Sequence, residues 1–441
     1  MKNLTLIVSF ILLFAVGCDT STDPKDATDF TVTIENISTA KLYSDSGVFN
    51  TPAGGTSPAP IFPGEAYEVS FDAAPGSKLS FATMFVQSND LFYAPDGDGI
   101  ELFDAMGNQI TGDITDQIML WDSGTEINQE PGLGADQAPR QAMANAGAGD
   151  PDNTVRLATD DFNNLPAVSD VIEVSLSSSS ETGFVLHIEN ISTASTLMTS
   201  DGGSTAVPLA PGVYVIHTNS NVLFTAGQSD DGNGLEAIAE DGDPSGLASI
   251  LANETGITQL IAPGVYVVHE SGTPLFTANV ADNGSGLENL AEDGDPAVLA
   301  ASLENDEMLS EVGAFTTPIG TSAPAPVGPG ESYSFTVSAM GGDHMSFATM
   351  LVQSNDLFLA PDDMGLALFD GSPLSGDITS QFMIWDAGTE VNEIPGIGLN
   401  QAPRQSGVNT GDNEMGTVQL VDDGFSYPTV DEIVRITITP L

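Results

Sequence analysis

Six carboxylates in this chain have the spacing of a site for a hard cation. The run Phe81-Ala-Thr-Met-Phe-Val-Gln-Ser-Asn-Asp-Leu-Phe92 ends in Asn89-Asp90, and the turn Trp121-Asp-Ser-Gly-Thr-Glu126 follows it. Both stretches return later: Phe347 to Phe358 differs from the first run only at Leu351, and Trp385-Asp-Ala-Gly-Thr-Glu390 answers the turn. An aspartate just past a strand end can project into an end loop. Asp122 and Glu126 lie four apart across a Gly-Thr turn, which can fold both carboxylates toward one point. Calcium takes roughly six to eight oxygens at ~2.3–2.6 Å, mostly carboxylates and carbonyls. The same spacing fits Asx-type turns that hold no metal. Such turns tolerate Asn, Ser or Gly in place of Asp, so the reappearance of the whole constellation favours a site. The expected ligands are Asp90, Asp122 and Glu126, and again Asp356, Asp386 and Glu390.

Other chemistry has less support. The histidines are His187, His217, His269 and His344, and in the alignment of the two copies His344 falls on Lys78. His217 and His269 alternate with Val and read as strand-end polar residues rather than zinc ligands. No nucleophile elbow, phosphate loop or dinucleotide fingerprint is present. The chain therefore reads as non-catalytic; the alternative is an envelope hydrolase or glycan-processing enzyme using loop carboxylates. Trp121 and Trp385 are expected to pack under the acidic loops. Asp96-Gly-Asp-Gly99 reads as a solvated turn, and the acids of Ala-Glu-Asp-Gly-Asp-Pro, which occurs twice, as caps and turn formers. Arg140 and Arg404, each in Gln-Ala-Pro-Arg-Gln, are expected to pin a long Gly/Pro loop through an ion pair.

The elements that would position these residues are short strands. Phe30 to Asn36 alternates apolar and polar, and Tyr67 to Phe71, Lys78 to Val86, Gln117 to Trp121 and Val171 to Leu176 follow, with turn residues between them. This pattern predicts an antiparallel all-β sandwich of about 150 residues. Ser177 to Thr182 reads as a polar linker. A second copy opens at Phe184-Val-Leu-His-Ile-Glu-Asn190 and resumes at Gly313, after which Pro326, Tyr333, Phe347, Asp356 and Phe369 match Pro60, Tyr67, Phe81, Asp90 and Phe103 at constant offset. The expected domains are residues 30–176 and 183–441, with an insert at about 194–310. The insert is itself duplicated: Pro211-Gly-Val-Tyr-Val-Ile-His217 matches Pro263-Gly-Val-Tyr-Val-Val-His269. Its Asp-Pro pairs, Asp243-Pro244 and Asp295-Pro296, mark helix starts. The chain should be mainly β, two tandem sandwiches with the second interrupted by a small duplicated α/β insert, itself standing apart from the sandwich layers.

Composition bounds the partners. Of 441 residues, 62 are acidic and 8 are Lys or Arg, a net charge of −54. Such a surface repels phosphate backbones, which excludes nucleic acid, and it attracts cations. Residues 1–17 have the basic start and apolar core of a secretory signal, too short for a membrane span of ~20 residues. Ala15-Val-Gly-Cys18 resembles the bacterial lipoprotein box, which implies an acylated Cys18 and a lipid anchor in the membrane, followed by a tether over 18–29. The expected location is the cell envelope: outer membrane, periplasmic or cell-surface. Cys18 is the lone cysteine, so no intrachain disulfide forms.

The Asn-Asp after a Phe/Met-rich strand, followed by Trp-Asp-x-Gly-Thr-acid, resembles the spondin N-terminal domain. Each copy carries the resemblance, the second in two parts. It implies a C2-like antiparallel sandwich with one calcium at a loop end, held by the residues that fall here on Asp90, Asp122 and Glu126, and on Asp356, Asp386 and Glu390. It also implies adhesion or binding of an extracellular protein or glycan. This chain departs from the family in ending the second motif with Glu rather than Asp, in reading Ser-Asn-Asp-Leu at the first motif, and in lacking the family's cysteines.

Overall fold

A computed structural model describes residues 27–441. The expected signal, the Cys18 lipidation site and most of the tether lie outside them. The strands of the first part are β1 (Thr28–Asn36), β2 (Tyr43–Phe49), β3 (Ala66–Asp72), β4 (Lys78–Phe85), β5 (Leu91–Ala94), β6 (Ile100–Glu101), β7 (Gly112–Asp113), β8 (Met119–Asp122), β9 (Arg156–Leu157) and β10 (Ile172–Ser178). The middle holds β11 (Gly183–Asn190), β12 (Leu197–Met198), β13 (Ser204–Thr205), β14 (Leu209–His217), α1 (Leu235–Asp241), α2 (Ser245–Glu254), β15 (Ile261–His269), α3 (Leu287–Asp293) and α4 (Ala297–Leu303). The last part holds β16 (Leu309–Phe315), β17 (Ser332–Ala339), β18 (His344–Leu351), β19 (Leu357–Ala360), β20 (Leu366–Ala367), β21 (Gly376–Asp377), β22 (Met383–Asp386), β23 (Gln419–Leu420), α5 (Val430–Ile433) and β24 (Val434–Pro440). The protein is mainly β, with antiparallel sheets stacked as sandwiches.

Two units share one plan. In the first, the sheet β3-β11-β10-β7 packs on the sheet β2-β14-β4-β5-β8-β9, with Phe71, Phe81, Tyr93, Val174 and Leu186 in the shared core. The second repeats it with β17-β1-β24-β21 on β16-β15-β18-β19-β22-β23, around Phe30, Val32, Phe347, Leu359 and Ile436. The outer face of each large sheet carries a helical layer: Ile238 and Leu247 pack with Phe92 and Trp121, and Leu290 and Leu299 with Phe358 and Trp385. The sequence patterns follow from these layers. β1 and β11 alternate because one face meets solvent, whereas β4 and β18 are buried after their first residue because sheet and helices cover both faces.

Strand pairing crosses the expected boundaries. Thr28 to Asn36 pairs with β17 and β24, so the first described strand belongs to the second unit. β11, expected to open the second copy, pairs with β3 and β10 in the first unit. Ser177 to Thr182 is thus the end of β10 and, from Ser179, the turn of a β10–β11 hairpin rather than an interdomain linker, and hairpin-connected strands pair with each other. The duplicated insert does not stand apart from the sandwich layers. β14 lies between β2 and β4, and β15 between β16 and β18. Both strands are buried almost end to end, which an edge position or a separate module would not allow. Their position requires glycine: a Cβ on Gly212 would meet the Ala82 carbonyl at 2.1 Å, and one on Gly264 the Ala348 carbonyl at 2.3 Å. The first unit is one continuous stretch of chain lodged inside the second, directly after the second unit's β1.

Candidate metal centre

The loop after β4 and the turn after β8 meet at one end of the large sheet, because β5 and β8 pair Leu91 with Asp122 and Phe92 with Trp121. Asp90 is buried there. Its Oδ2 accepts the backbone N–H groups of Thr125 and Glu126, both at 3.0 Å, and its Oδ1 has no hydrogen-bond partner. Asp122 Oδ1 accepts the Gly124 N–H at 2.7 Å in an Asx turn, and Oδ2 accepts the Asn128 amide at 2.7 Å. Glu126 accepts from the Asn89 amide at 3.0 Å and from the Gly147 N–H at 2.6 Å. Trp121 packs beneath the turn against Phe224 at 4.9 Å between ring centroids and donates to the Ala94 carbonyl.

The second unit rebuilds this end with changes. Asp356 Oδ2 accepts the N–H groups of Thr389 at 2.8 Å and Glu390 at 3.1 Å, and again Oδ1 is unpartnered. Asp386 accepts from Gly388 N–H at 2.7 Å and the Asn392 amide at 2.8 Å. The Asn355 amide, however, turns to Glu393 at 3.3 Å, and both oxygens of Glu390 are left without partners. Gln129 occupies the place of Glu393 in the first unit, where it accepts no such bond and Glu126 keeps the amide.

Asp356 and Asp386 converge, but the third carboxylate beside them is Glu414 and not the expected Glu390. Oxygens of Asp356, Asp386 and Glu414 lie within 4.8 Å of one another, the one such triad among the described residues. Glu390 borders this triad: its N–H bonds Asp356, while its side chain faces away toward the Gly411 loop. Glu414 carried no sequence signal, since it sits in a Gly/Asn-rich loop; only the β-bridge of Glu390 with Asn413 brings it round.

The acids of the two Ala-Glu-Asp-Gly-Asp-Pro segments, expected to be caps and turn formers, divide between two roles. Asp243 and Asp295 do cap, accepting the N–H groups of Ser245 and Ala297 at 2.9 Å. Glu240 and Glu292, in the same motif, are buried instead. Glu240 faces Thr125, Glu126 and Asp90 with both oxygens unpartnered, and Glu292 faces Thr389 and Glu390. Their equal placement in α1 and α3 was the available signal.

Burial dominates the electrostatics. It raises the Asp90 and Asp122 carboxyls, and the charge of Asp90 raises Asp122 further. Asp356 is pushed up to about 7 by burial and then by Asp386. Glu390 and Glu292 rise to about 7 and Glu240 to about 8, each chiefly through burial. Carboxyl groups held this way bind either a proton or a cation. The orphaned Oδ1 of Asp356 and the all-oxygen set of Asp356, Asp386 and Glu414 fit a hard divalent ion in the second unit. In the first unit Arg156 lies 3.2 Å from Asp122 Oδ2.

The remaining sequence candidates are structural. With β14 in the first unit, His217 and His269 occupy matching sites: Nε2 meets Ser80 Oγ at 2.9 Å and Ser346 Oγ at 3.0 Å, and Nδ1 meets the carbonyls of Asn219 and Ser271. Each unit therefore does hold an equivalent histidine, which alignment of the two long copies had not shown. Burial lowers both, so they stand neutral. Asp96 to Gly99 is a turn, with Asp96 Oδ1 accepting from Asp98 N–H at 3.0 Å. Arg140 and Arg404 pin their loops through neutral oxygens and not ion pairs: Nε donates to the Gly134 and Gly398 carbonyls at 2.7 Å, and the other nitrogens to glutamine side chains.

No protein-family model and no curated protein matches the chain. No helix among the described residues is long and apolar enough to cross a membrane.

Proposed function

We propose that this protein is a non-catalytic, lipid-anchored envelope protein whose spondin-like sandwiches are braced by calcium and present their surfaces to an extracellular protein or glycan. The observation that carries the calcium reading is the buried Asp356 Oδ1, without a partner beside the carboxylates of Asp386 and Glu414. An isolated buried carboxylate is costly unless a cation or proton compensates it. Supporting the binding role, His217, His269, Trp121, Trp385, Arg140 and Arg404 are all engaged in holding the fold. The net charge of −54 favours any dication. The Cys18 anchor and the envelope location rest on the N-terminal sequence alone.

Calcium titration of the chelator-treated chain tests this. Binding to the folded state raises the melting temperature by mass action, and a chelator reverses the shift. A melting temperature that calcium leaves unmoved, with no heat of binding, would refute the metal. A palmitate label that survives Cys18→Ala would refute the anchor.

A further inference from the structure

The two acidic centres differ in one respect that their common plan makes visible. β9 pairs with β8 so that Arg156 stands opposite Asp122, and β23 pairs with β22 so that Gln419 stands opposite Asp386. Arg156, with 15% of its side chain exposed, reaches Asp122 at 3.2 Å, Asp150 at 3.0 Å and Asp161 at 2.5 Å. Its remaining donors are held by the carbonyls of Asp152 and Thr154 at 2.8 and 3.0 Å. The guanidinium is thereby fixed in place on the acidic loop end.

The second unit has the acids without the arginine. The Asp150 N–H donates to the Thr125 carbonyl at 3.1 Å, and the Glu414 N–H donates to the Thr389 carbonyl at 3.2 Å, so Glu414 is the counterpart of Asp150. Asp150 turns to Arg156; Glu414 turns to Asp356 and Asp386. Asp423 remains beside them, where its charge adds to burial in raising Asp386 and Glu414 and its Oδ2 accepts from the Tyr427 hydroxyl at 2.7 Å, so the acids persist where the arginine is missing. Among the described residues no Lys, Arg or His forms an ion pair with Asp356, Asp386, Glu390 or Glu414. Asp356 is fully buried, its Oδ2 is taken by backbone N–H groups, and its Oδ1 is free.

Resting on the calcium reading above, we infer that the two centres are not equivalent: Arg156 is a built-in cation that closes the first, and the second takes one divalent ion, with Glu414 a ligand beside Asp356 and Asp386. The chain binds one calcium, not two. A guanidinium on Asp122 and Asp150 and a divalent ion on their counterparts Asp386 and Glu414 compensate the two loop ends by different means. The arginine gives directed N–H donors and a permanent single charge. The ion gives a higher charge whose occupancy follows its concentration. One unit of the pair is therefore braced at all times and the other only when calcium is present.

Isothermal titration of the full, chelator-treated chain with calcium chloride tests the inference, with circular dichroism confirming the fold of each variant. The wild type should bind one ion. Glu414→Gln should weaken binding at least tenfold. Gln419→Arg, which transplants the internal cation, should abolish calcium binding while raising the melting temperature of the metal-free chain. Arg156→Gln should add a second ion. Two ions in the wild type, or full affinity retained in both Glu414→Gln and Gln419→Arg, overturns the inference and leaves calcium binding standing. No ion in any variant overturns the calcium reading and this inference with it.

Discussion

The side-chain amide of Asn36 donates to the carbonyl of Val327 at 3.0 Å, and to that of Gln259 at 2.9 Å. These two bonds fasten the end of β1 to segments from the far side of the first unit. Asn190, at the end of β11, does the same for the first unit with the carbonyls of Ile61 and Val207. Both asparagines are buried. Asn36→Ala leaves the Gln259 carbonyl without a donor in a buried site, while that of Val327 keeps the Ile261 N–H, at about 1–3 kcal/mol. Urea denaturation should show a lower midpoint for Asn36→Ala and for Asn190→Ala alike. A midpoint unchanged in Asn36→Ala would contradict the pairing of β1 with the second unit.

That pairing marks the limit of what the sequence displayed. The strands, the duplication and the acidic loops were legible because each is local: alternation shows a half-covered strand, and Asp-x-Gly-Thr shows an Asx turn. Which copy a strand joins is not local. Val32 to Asn36 and Leu186 to Asn190 are near-identical in pattern, so either fits either sheet, and the register is decided by the short turn at Ser179 to Thr182 that forces β10 onto β11. The insert misled for a related reason. The helical period of Leu235 to Glu254 is plain, but the burial of β14 on both faces becomes visible only when β2 and β4 flank it. In the candidate site, Asp90 and Asp356 were readable from repetition. Glu414 and Arg156 were not, because the loops carrying them differ between the units and their partners are remote in sequence.

Gly212 and Gly264 are the tightest points of this arrangement. A methyl group at Gly212 meets a backbone carbonyl and the Phe49 ring at 2.4 Å, neither of which can swing aside. Gly212→Ala and Gly264→Ala should each cost about 1–3 kcal/mol or more, the range for overpacking a rigid site. Gly246→Ala is the control: it lies in α2 with its nearest neighbour at 3.9 Å, and should be neutral or slightly stabilising. Equal thermal stability of Gly212→Ala and the parent would contradict the central position of β14.

Raised carboxyl groups make the metal-free protein less stable as it becomes more alkaline. Asp356, Glu390 and Glu292 titrate at about 7 and Glu240 at about 8 in the folded chain. In the unfolded chain such groups titrate near ~4. The folded state therefore binds protons more tightly, and its advantage is complete below ~4 and is lost as pH rises through 7 to 8. With chelator, the melting temperature should fall between pH 5 and pH 8.5. With calcium, which competes with the protons, the fall should be smaller. Glu240→Gln should remove the upper part of the decline. A melting temperature constant over this window in chelator would refute the assignment of these groups as buried and uncompensated.

Arg140 and Arg404 stabilise loops, and the neutrality of their partners makes the effect testable. Arg140 bonds the Gly134 carbonyl, Gln87 and Gln137, and Arg404 bonds the Gly398 carbonyl, Gln353 and Gln401. In each loop the next residue carries the pin onward: Gln141 donates to Asp241 at 2.8 Å and Gln405 to Asp293 at 2.9 Å, which joins the loop to the helical layer. Arg404→Ala should destabilise by about 1–3 kcal/mol, the range for losing bonds to a charged donor. Because carbonyl and amide oxygens carry no net charge, added salt should leave that loss unchanged, whereas an ion pair would weaken with screening. Arg404→Lys should recover little, since an ammonium cannot span three acceptors set around a planar fork. A loss that shrinks in molar salt, or full recovery by lysine, would point to an acidic partner instead.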